Sequence, residues 1–148
     1  MSRPSMRRVI RAFSGAHAAM YRLTKGAAGN PNWPMLVLTV TGRKSGKTRR
    51  VPLVYIKDNE NFIVAAAYGG SDVNPAWWRN LRANPHAEVL TEGTRLTVHA
   101  AQADDQQRID LWPRLVDMYP YFAEYQRRTT RQIPVMVLTP EREAASNP

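Results

Sequence analysis

Six short runs of aliphatic and β-branched residues, separated by turn residues, constrain the fold of this chain more than any other feature. Two pairs of runs are joined by tight turns, at Asp58-Asn59-Glu60 and at Glu92-Gly93, which is typical of antiparallel hairpins. With few and short helices between them, such strands favour a mainly β fold with flanking helices, in which an antiparallel sheet curls into a barrel. The six predicted strands are Met35–Thr41, Arg50–Lys57, Phe62–Tyr68, His86–Thr91, Thr94–Ala101 and Ile133–Leu138.

Helices are predicted around these strands. Residues 4–25 repeat apolar side chains at helical spacing with arginines off that stripe, which predicts an amphipathic helix. Asn74 and Pro75 predict the start of a short helix over Ala76–Ala83, as N-cap and first helical residue. A second helix runs from Asp104 to Met118 with an interruption near Pro113, and Tyr121–Arg128 forms a further turn or two. Residues 141–148 are expected to be a loose tail, and residues 1–148 to be one domain.

The positive charge of the chain is concentrated before its first acidic residue. Formal net charge is +9, yet twelve bases precede Asp58, whereas nine bases and twelve acids, Asp58 among them, make up the rest of the chain. A segment with so many bases and no acids attracts an anionic partner, such as a phosphate, a polycarboxylate, a nucleic acid or a lipid headgroup. We therefore expect the anion to bind within the first 57 residues.

Composition excludes several kinds of site. The sequence has no cysteine, so disulfides, thiolate metal sites and cysteine nucleophiles are excluded. His17, His86 and His99 lack metal-ligand spacing, and no catalytic triad or carboxylate pair is evident, so no metal is expected. No apolar run reaches the roughly 20 residues that cross a bilayer, and no signal-peptide pattern follows the N-terminal arginines. We expect a cytoplasmic protein whose difficult chemistry, if any, comes from a cofactor.

The turn from Gly42 to Arg50 is the most distinctive local feature. Five bases supply charge-assisted donors, and two glycines let the backbone approach a ligand closely. It differs from a Walker A loop in the spacing of its glycines and in having strands on both sides. The alternative is a hairpin turn kept basic for solubility.

Two further segments could accommodate a flat ligand. Ala65, Ala66 and Ala67, followed by Tyr68 and two glycines, leave room for a ring system laid against a strand, although small residues can also be simple core fitting. In the helix of residues 76–83, Trp77 and Trp78 lie near N–H groups that suit an anionic oxygen. The alternative is that one tryptophan plugs the barrel and the other covers its rim.

An aromatic cluster follows the second predicted helix. Tyr119, Phe122 and Tyr125 share one face if the segment is helical, and Tyr121 lies among them. Such a stripe is more often core than substrate pocket. Buried tyrosine hydroxyls nonetheless need hydrogen-bond partners.

Taken together, these segments resemble the deazaflavin-dependent nitroreductase family of actinobacteria, which uses coenzyme F420. The resemblance covers about residues 35 to 139. It rests on the order and spacing of the basic turn, the alanine–glycine strand end and the Asn-Pro-x-Trp helix, with two later segments that fit the same pattern. The segments are residues 41–53 (TGRKSGKTRRVPL), 64–70 (VAAAYGG), 74–85 (NPAWWRNLRANP), 118–125 (MYPYFAEY) and 131–135 (RQIPV).

The resemblance implies a flavin-reductase-like split β-barrel with the cofactor lying along it. The basic turn would hold the phosphate and polyglutamate tail, through Arg43, Lys44, Ser45, Gly46 and Arg49. The ring and its linker would be lined by Pro52, Ala65, Ala66, Ala67, Tyr68, Ala76, Trp77 and Asn80. The acceptor would lie against Val54, Tyr119, Phe122 and Tyr125.

Three of these positions depart from the family pattern, which bears on the choice of acceptor. Tyr68 stands where Lys or Arg is common, Val54 where Tyr is common, and Phe122 where a middle Tyr is found. The activity implied is hydride transfer from reduced deazaflavin to a quinone, nitro-aromatic or enone, with Tyr119, Tyr125 or water donating the proton. The N-terminal helix would suit the anionic inner face of a membrane.

Two alternatives stand beside this interpretation. An oxidoreductase that uses FMN would share the barrel, although five bases are more than one phosphate requires. A nucleic-acid or membrane-surface module would explain the charge, but the bases lie in one turn and one helix without aromatics interleaved along a strand. The sequence therefore disfavours nucleic acid as a partner, and it leaves the oligomeric state open.

Overall fold

One antiparallel sheet organises residues 33–141, the part of the chain that the computed structural model describes. Its strands are β1 (Met35–Thr41), β2 (Thr48–Val54), β3 (Ile56–Asp58), β4 (Asn61–Ala65), β5 (His86–Thr91), β6 (Thr94–Gln102) and β7 (Val135–Pro140). The helices are α1 (Ala76–Ala83), α2 (Asp105–Met118) and α3 (Tyr121–Arg127), with a 3₁₀ turn at Tyr68–Gly70. The predicted helix at 4–25, and the predicted tail except Glu141, lie outside the described residues.

The order of the strands forces the sheet to curl. The order is β2-β1-β5-β6-β7-β4-β3, so the two outermost strands are β2 and β3. Only Tyr55 separates these strands along the chain. The two ends of the sheet are therefore held close together at Tyr55, which gives a curled, half-open barrel as predicted.

The prediction of one continuous strand over Arg50–Lys57 is wrong, and this is why the sheet has seven strands where six were expected. β2 pairs with β1, whereas β3 pairs with β4. Between them the N–H of Tyr55 donates to the carbonyl of Pro34 (3.1 Å). A local pattern of apolar residues cannot show that the chain changes partners, because that change depends on the curvature of the whole sheet.

The two faces of the sheet pack against different partners. Successive side chains of a strand point to opposite faces, so Phe62 and Val64 enter the barrel interior while Ile63 and Ala65 face α2 and α3. The interior also holds Trp77 of α1, and both clusters are almost completely buried. Other aliphatic residues of the interior include Leu36, Leu38, Val40, Val89, Val98 and Leu138, and the outer cluster includes Leu111, Leu115, Phe122, Ile133 and Val135.

Several element ends differ from the prediction. β4 stops at Ala65 rather than Tyr68, because Tyr68 has a φ of +47°, which no strand accommodates. β7 starts two residues after the predicted Ile133 and extends to Pro140. α1 has Pro75 rather than Asn74 at its N-cap.

α2 is continuous where an interruption was predicted. Pro113 lies within it, and the buried residues Leu111 and Leu115 on either side anchor both halves against the sheet. An interior proline removes one helical hydrogen bond and crowds the carbonyl four residues earlier, and the burial of Leu111 and Leu115 offsets this cost. Its predicted start is confirmed, because Asp104 caps it in a reciprocal box with Gln107.

Candidate functional site

The basic turn between β1 and β2 faces solvent. Its backbone closes on itself, with Gly42 N–H donating to the Lys47 carbonyl (2.7 Å) and Gly46 N–H to the Gly42 carbonyl (2.8 Å). Gly46 has a φ of +73°, a conformation that glycine adopts without strain. Lys44, Lys47 and Arg49 are exposed, and none of them pairs with a carboxylate of the described residues. The turn therefore presents uncompensated positive charge.

A buried asparagine anchors this turn to α1. Asn80 is 5% exposed, and its Oδ1 accepts hydrogen bonds from the backbone N–H of Arg43 (3.1 Å) and from Arg43 Nη1 (2.8 Å). A turn kept basic only for solubility would need no such anchor. The structure thus brings together two predicted cofactor residues, Arg43 and Asn80. Through this contact Asn80 holds the Arg43 guanidinium in place.

Among the described residues, the change of strand partners at Tyr55 leaves one edge of β4 without a neighbouring strand beyond Ile63. Ala66 N–H donates to the Pro134 carbonyl (2.9 Å) on the β7 side. Because alternate residues of a strand direct their N–H and C=O groups to opposite sides, those of Ala65 point to the β3 side. Pairing with β3 ends at Ile63. No strand of residues 33–141 therefore pairs with Ala65 on that side.

The side chains of the three alanines do not face this edge. Ala66 lies in the barrel interior, and Ala65 and Ala67 lie in the outer cluster, all at least nine-tenths buried. A ligand beside β4 would therefore meet their backbone rather than their methyl groups. Pro52 and Val54, also predicted to line the site, are half-buried on β2.

Arg131 holds the segment that follows β4, and the sequence prediction did not assign it a role. Its guanidinium donates to the carbonyls of Ala66, Ala67 and Ser71 and to Oδ1 of Asn74. This contact explains why Asn74 does not cap α1. In the sequence, Arg131 was only the first residue of the 131–135 segment of the family resemblance, and nothing in that segment indicated which groups its side chain would contact.

The 3₁₀ turn brings the alanine segment against α3. Tyr68, Gly69 and Gly70 all have positive φ, and Gly70 lies so close to α3 that a Cβ there would be 2.8 Å from the Tyr125 carbonyl oxygen. Arg128 also donates to the Gly69 carbonyl (3.4 Å). The predicted ring-lining segment and the predicted acceptor-binding helix are therefore in direct contact.

The predicted aromatic residues cluster around Tyr119. Its ring centroid lies 4.9 Å from Phe122, 5.2 Å from Tyr121 and 6.4 Å from Tyr125. Trp33, which was not predicted, is edge-on at 5.3 Å. Burial, together with a hydrogen bond to Tyr125, raises the pKa of Tyr119 well above its usual range, so its hydroxyl stays protonated.

Phe122 is a core residue, since it is 4% exposed and packs between Trp112 and Tyr119. In α1, Trp77 is buried in the barrel interior, as expected for one tryptophan acting as a plug. Trp78 is half-buried at the surface and donates to Gln102 Oε1 (3.3 Å). Ala76 is exposed in the first turn of α1.

An open cleft of about 500 Å³ lies between the C-terminal part of α1 and β6. Its walls include Leu81, Arg82, His99 and Met136. None of the predicted site residues lines this cleft, and it brings no reactive group near the basic turn or the aromatic cluster. We therefore place the candidate site at the turn and the β4 edge.

Comparison with known proteins decides the family. The model of the F420H2-dependent quinone reductase family matches residues 14–140, which is most of the chain. The chain belongs to this family. A putative F420H2-dependent quinone reductase of Mycobacterium tuberculosis is 43% identical over 115 residues, which cover 78% of this chain and 97% of that protein. The expectations of an F420H2-dependent oxidoreductase and of coenzyme F420 as its cofactor are confirmed.

Solved structures of similar proteins agree with the fold. A structure of the F420-H2 dependent reductase FDR-A has a TM-score of 0.66 and 37% identity, covering 71% of this chain and 93% of that one. Another, described as a domain-swapped dimer, has a TM-score of 0.67 and 30% identity, covering 83% and 99%. The predicted mainly β, curled-barrel architecture is confirmed.

Proposed function

We propose that this member of the family reduces a quinone with a hydride from reduced F420, whose tail lies on the basic turn and whose ring lies along the free edge of β4. The observation that carries the proposal is the presence of two features in one fold. The basic turn is fixed by buried Asn80, and among residues 33–141 no strand pairs with the edge of β4 at Ala65.

The residues present fit the charge of this cofactor. Its phosphate and glutamate carboxylates are anionic, and Lys44, Lys47 and Arg49 offer exposed cations without carboxylate partners among the described residues. Each charge-assisted contact stabilises a complex by about 1.5–3 kcal/mol. Ser45 and Gly46 complete the turn, and the backbone hydrogen bonds that close it hold these bases near one another.

The β4 edge fits the ring by its pattern of hydrogen-bonding groups. Along that edge stand the N–H of Ala65, the C=O of Ala65 and the N–H of Ala67, which is donor, acceptor, donor. The pyrimidinedione edge of a deazaflavin presents acceptor, donor, acceptor, the complementary order. When bound, the reduced ring supplies the hydride, and the protein orients it.

The aromatic cluster supplies a surface for a flat acceptor. Tyr119 and Tyr125, two of the three tyrosines of this cluster, lie on or beside the helix that contacts the alanine segment. A phenol with a raised pKa gives up its proton less readily, so Tyr119 acts as a hydrogen-bond donor to the acceptor oxygen. Tyr125 or water then delivers the proton. Val54 and the buried Phe122 pack in the same outer cluster and support these rings.

The location and the alternatives follow from the same features. No helix among residues 33–141 is long and apolar enough to cross a membrane. We propose that residues 1–25 contact the inner face of the membrane peripherally, where a lipophilic quinone would be reached. FMN remains a weaker alternative, because one phosphate would use only part of the basic turn, and nitro-aromatics and enones remain alternative acceptors.

The test separates anchoring from chemistry. Arg49→Ala should weaken F420 binding by about tenfold to a hundredfold, with little change in single-turnover reduction of a soluble quinone at saturating cofactor. Tyr125→Phe should spare cofactor affinity and slow that turnover. Arg95→Ala, which removes an exposed arginine of β6 outside the turn, should change neither. Unaltered F420 affinity in Arg49→Ala would mean that the turn is only a solvated hairpin.

A further inference from the structure

Arg131 uses its whole guanidinium to hold one short segment of backbone. Nε donates to the Ser71 carbonyl (2.8 Å), Nη2 to the Ala67 carbonyl (2.8 Å), and Nη1 to Asn74 Oδ1 (2.8 Å) and the Ala66 carbonyl (3.2 Å). These four acceptors all lie between the end of β4 and the start of α1. The buried carbonyl groups of this loop, such as those of Ala66 and Ala67, must find partners, and here one side chain provides them.

Arg131 is itself held from the other side. Its own carbonyl accepts a hydrogen bond from Gln126 Nε2 (2.7 Å), and Gln126 Oε1 accepts from the N–H of Ile133 (3.0 Å). Gln126 belongs to α3. Because both its backbone and its side chain are fixed, Arg131 joins α3, which carries the acceptor aromatics, to the alanine segment.

The orientation of one peptide group follows directly from these contacts. In a trans peptide the C=O and the following N–H point in opposite directions. The Ala66 carbonyl points to Arg131, so the N–H of Ala67 points away from it, toward the edge of β4 that β3 leaves uncovered. The guanidinium thus sets the direction of a donor at the proposed ring site without touching the ring.

We infer that Arg131 is a positioning residue for the deazaflavin ring, which fixes the Ala66–Ala67 peptide so that its N–H faces the pyrimidinedione. This inference rests on the proposed function, since it concerns the same site. Lysine cannot replace the arginine here, because an ammonium is a single point charge whereas the guanidinium reaches four separated acceptors with a planar fork. Arg131 therefore orients the donor for the ring, whereas the basic turn binds the tail.

Two variants and two probes separate the role of Arg131 from that of the basic turn. The probes are F420 and the same deazaflavin with only its ribityl chain, which lacks the phosphate and the glutamates. Arg131→Lys should weaken both by the same factor, about tenfold, as expected for a misdirected hydrogen bond. Arg49→Ala should weaken F420 alone. Amide hydrogen exchange should also be faster at Gly70 and Ser71 in Arg131→Lys.

The control is Arg114→Lys. Arg114 likewise makes several contacts, with Asp58, Asp110 and the Lys57 carbonyl, but it joins α2 to β3. It should lower the midpoint of urea unfolding while leaving both probes bound as in wild type. Weaker binding in Arg131→Lys but not in Arg114→Lys therefore does not come from a general loss of stability. If Arg131→Lys does not fold, Asn74→Ala removes one of the four contacts and should weaken both probes severalfold.

The outcomes separate the two proposals. Unchanged binding of the ring probe in a folded Arg131→Lys or Asn74→Ala protein overturns the inference and leaves the proposed function standing. A selective loss of F420 binding, with the ring probe unaffected, overturns it as well. Failure of the wild-type chain to bind F420 overturns the proposed function, and the role of Arg131 falls with it.

Discussion

Replacement of Asn80 tests the link between the basic turn and α1. Its Oδ1 accepts one backbone and one guanidinium hydrogen bond from Arg43. The neutral bond is worth about 0.5–1.5 kcal/mol, and the charge-assisted one contributes less than its usual share because the Arg43 side chain is exposed to water. We therefore expect Asn80→Ala to lower the free energy of unfolding by about 1–2 kcal/mol, and to weaken F420 binding because the turn is no longer oriented.

Asn80→Asp is the matched variant, and it separates orientation from charge. A carboxylate oxygen can accept both hydrogen bonds from Arg43, so the turn stays anchored and the free energy of unfolding stays within about 1 kcal/mol of wild type at neutral pH. The same carboxylate lies beside Arg43 and neutralises it. Affinity for the anionic cofactor should therefore fall by about tenfold or more, and this loss should shrink as salt screens the charges.

Urea unfolding and fluorescence titration with oxidised F420 at two salt concentrations measure both quantities. Wild-type stability in Asn80→Ala would show that the two hydrogen bonds do not anchor the turn. Wild-type affinity in Asn80→Asp at low salt would refute the assignment of the anionic tail to this turn, because a new carboxylate beside Arg43 should repel a bound anion and weaken its binding.

Three further predictions concern the alanine segment, the aromatic cluster and the N-terminal residues. Gly70→Ala adds a Cβ 2.8 Å from the Tyr125 carbonyl oxygen, so it should lower the free energy of unfolding, measured in urea, clearly more than Gly93→Ala does. Gly93 has a similar positive φ but open space around it, and its replacement should lower that free energy by about 1 kcal/mol. Equal losses would refute the close contact. Since the pKa of Tyr119 is raised, the free energy of unfolding should fall as pH rises past the ordinary tyrosine pKa of about 10, by less than about 1.4 kcal/mol per pH unit, and Tyr119→Phe should flatten that decline. Deletion of residues 1–25 should reduce co-sedimentation with anionic vesicles, at roughly 1 kcal/mol per base near the surface, and unchanged sedimentation of a folded protein would exclude that contact.

The sequence predicted those parts of the fold whose signals are local. The β5–β6 hairpin was predicted correctly because a two-residue turn between two strand patterns is a local signal. In the structure Glu92 and Gly93 both adopt positive φ, as a type I′ turn requires. The capped start of α2 and the helical turns of α3 were likewise visible in side-chain pattern. Each of these features depends on residues only a few positions apart.

What the sequence missed depends on contacts between distant residues. The change of partner at Tyr55 and the passage of α2 through Pro113 both follow from packing against the sheet. The contacts of Arg131 span up to 65 positions, and the contact between Asn80 and Arg43 spans 37. The candidate residues could be named from the motif, but whether a residue touches a ligand or orients one that does became visible only in the fold.

A parallel titration with oxidised F420 and FMN measures whether the basic turn selects the cofactor. Both ligands carry a flat ring with a pyrimidinedione edge and a phosphate, and they differ most in the glutamate tail that the basic turn is proposed to hold. We expect tighter binding of F420 at low salt, with the preference reduced as salt rises and reduced again in Arg49→Ala. Equal or tighter binding of FMN by the wild-type chain would contradict the assignment of the tail to this turn.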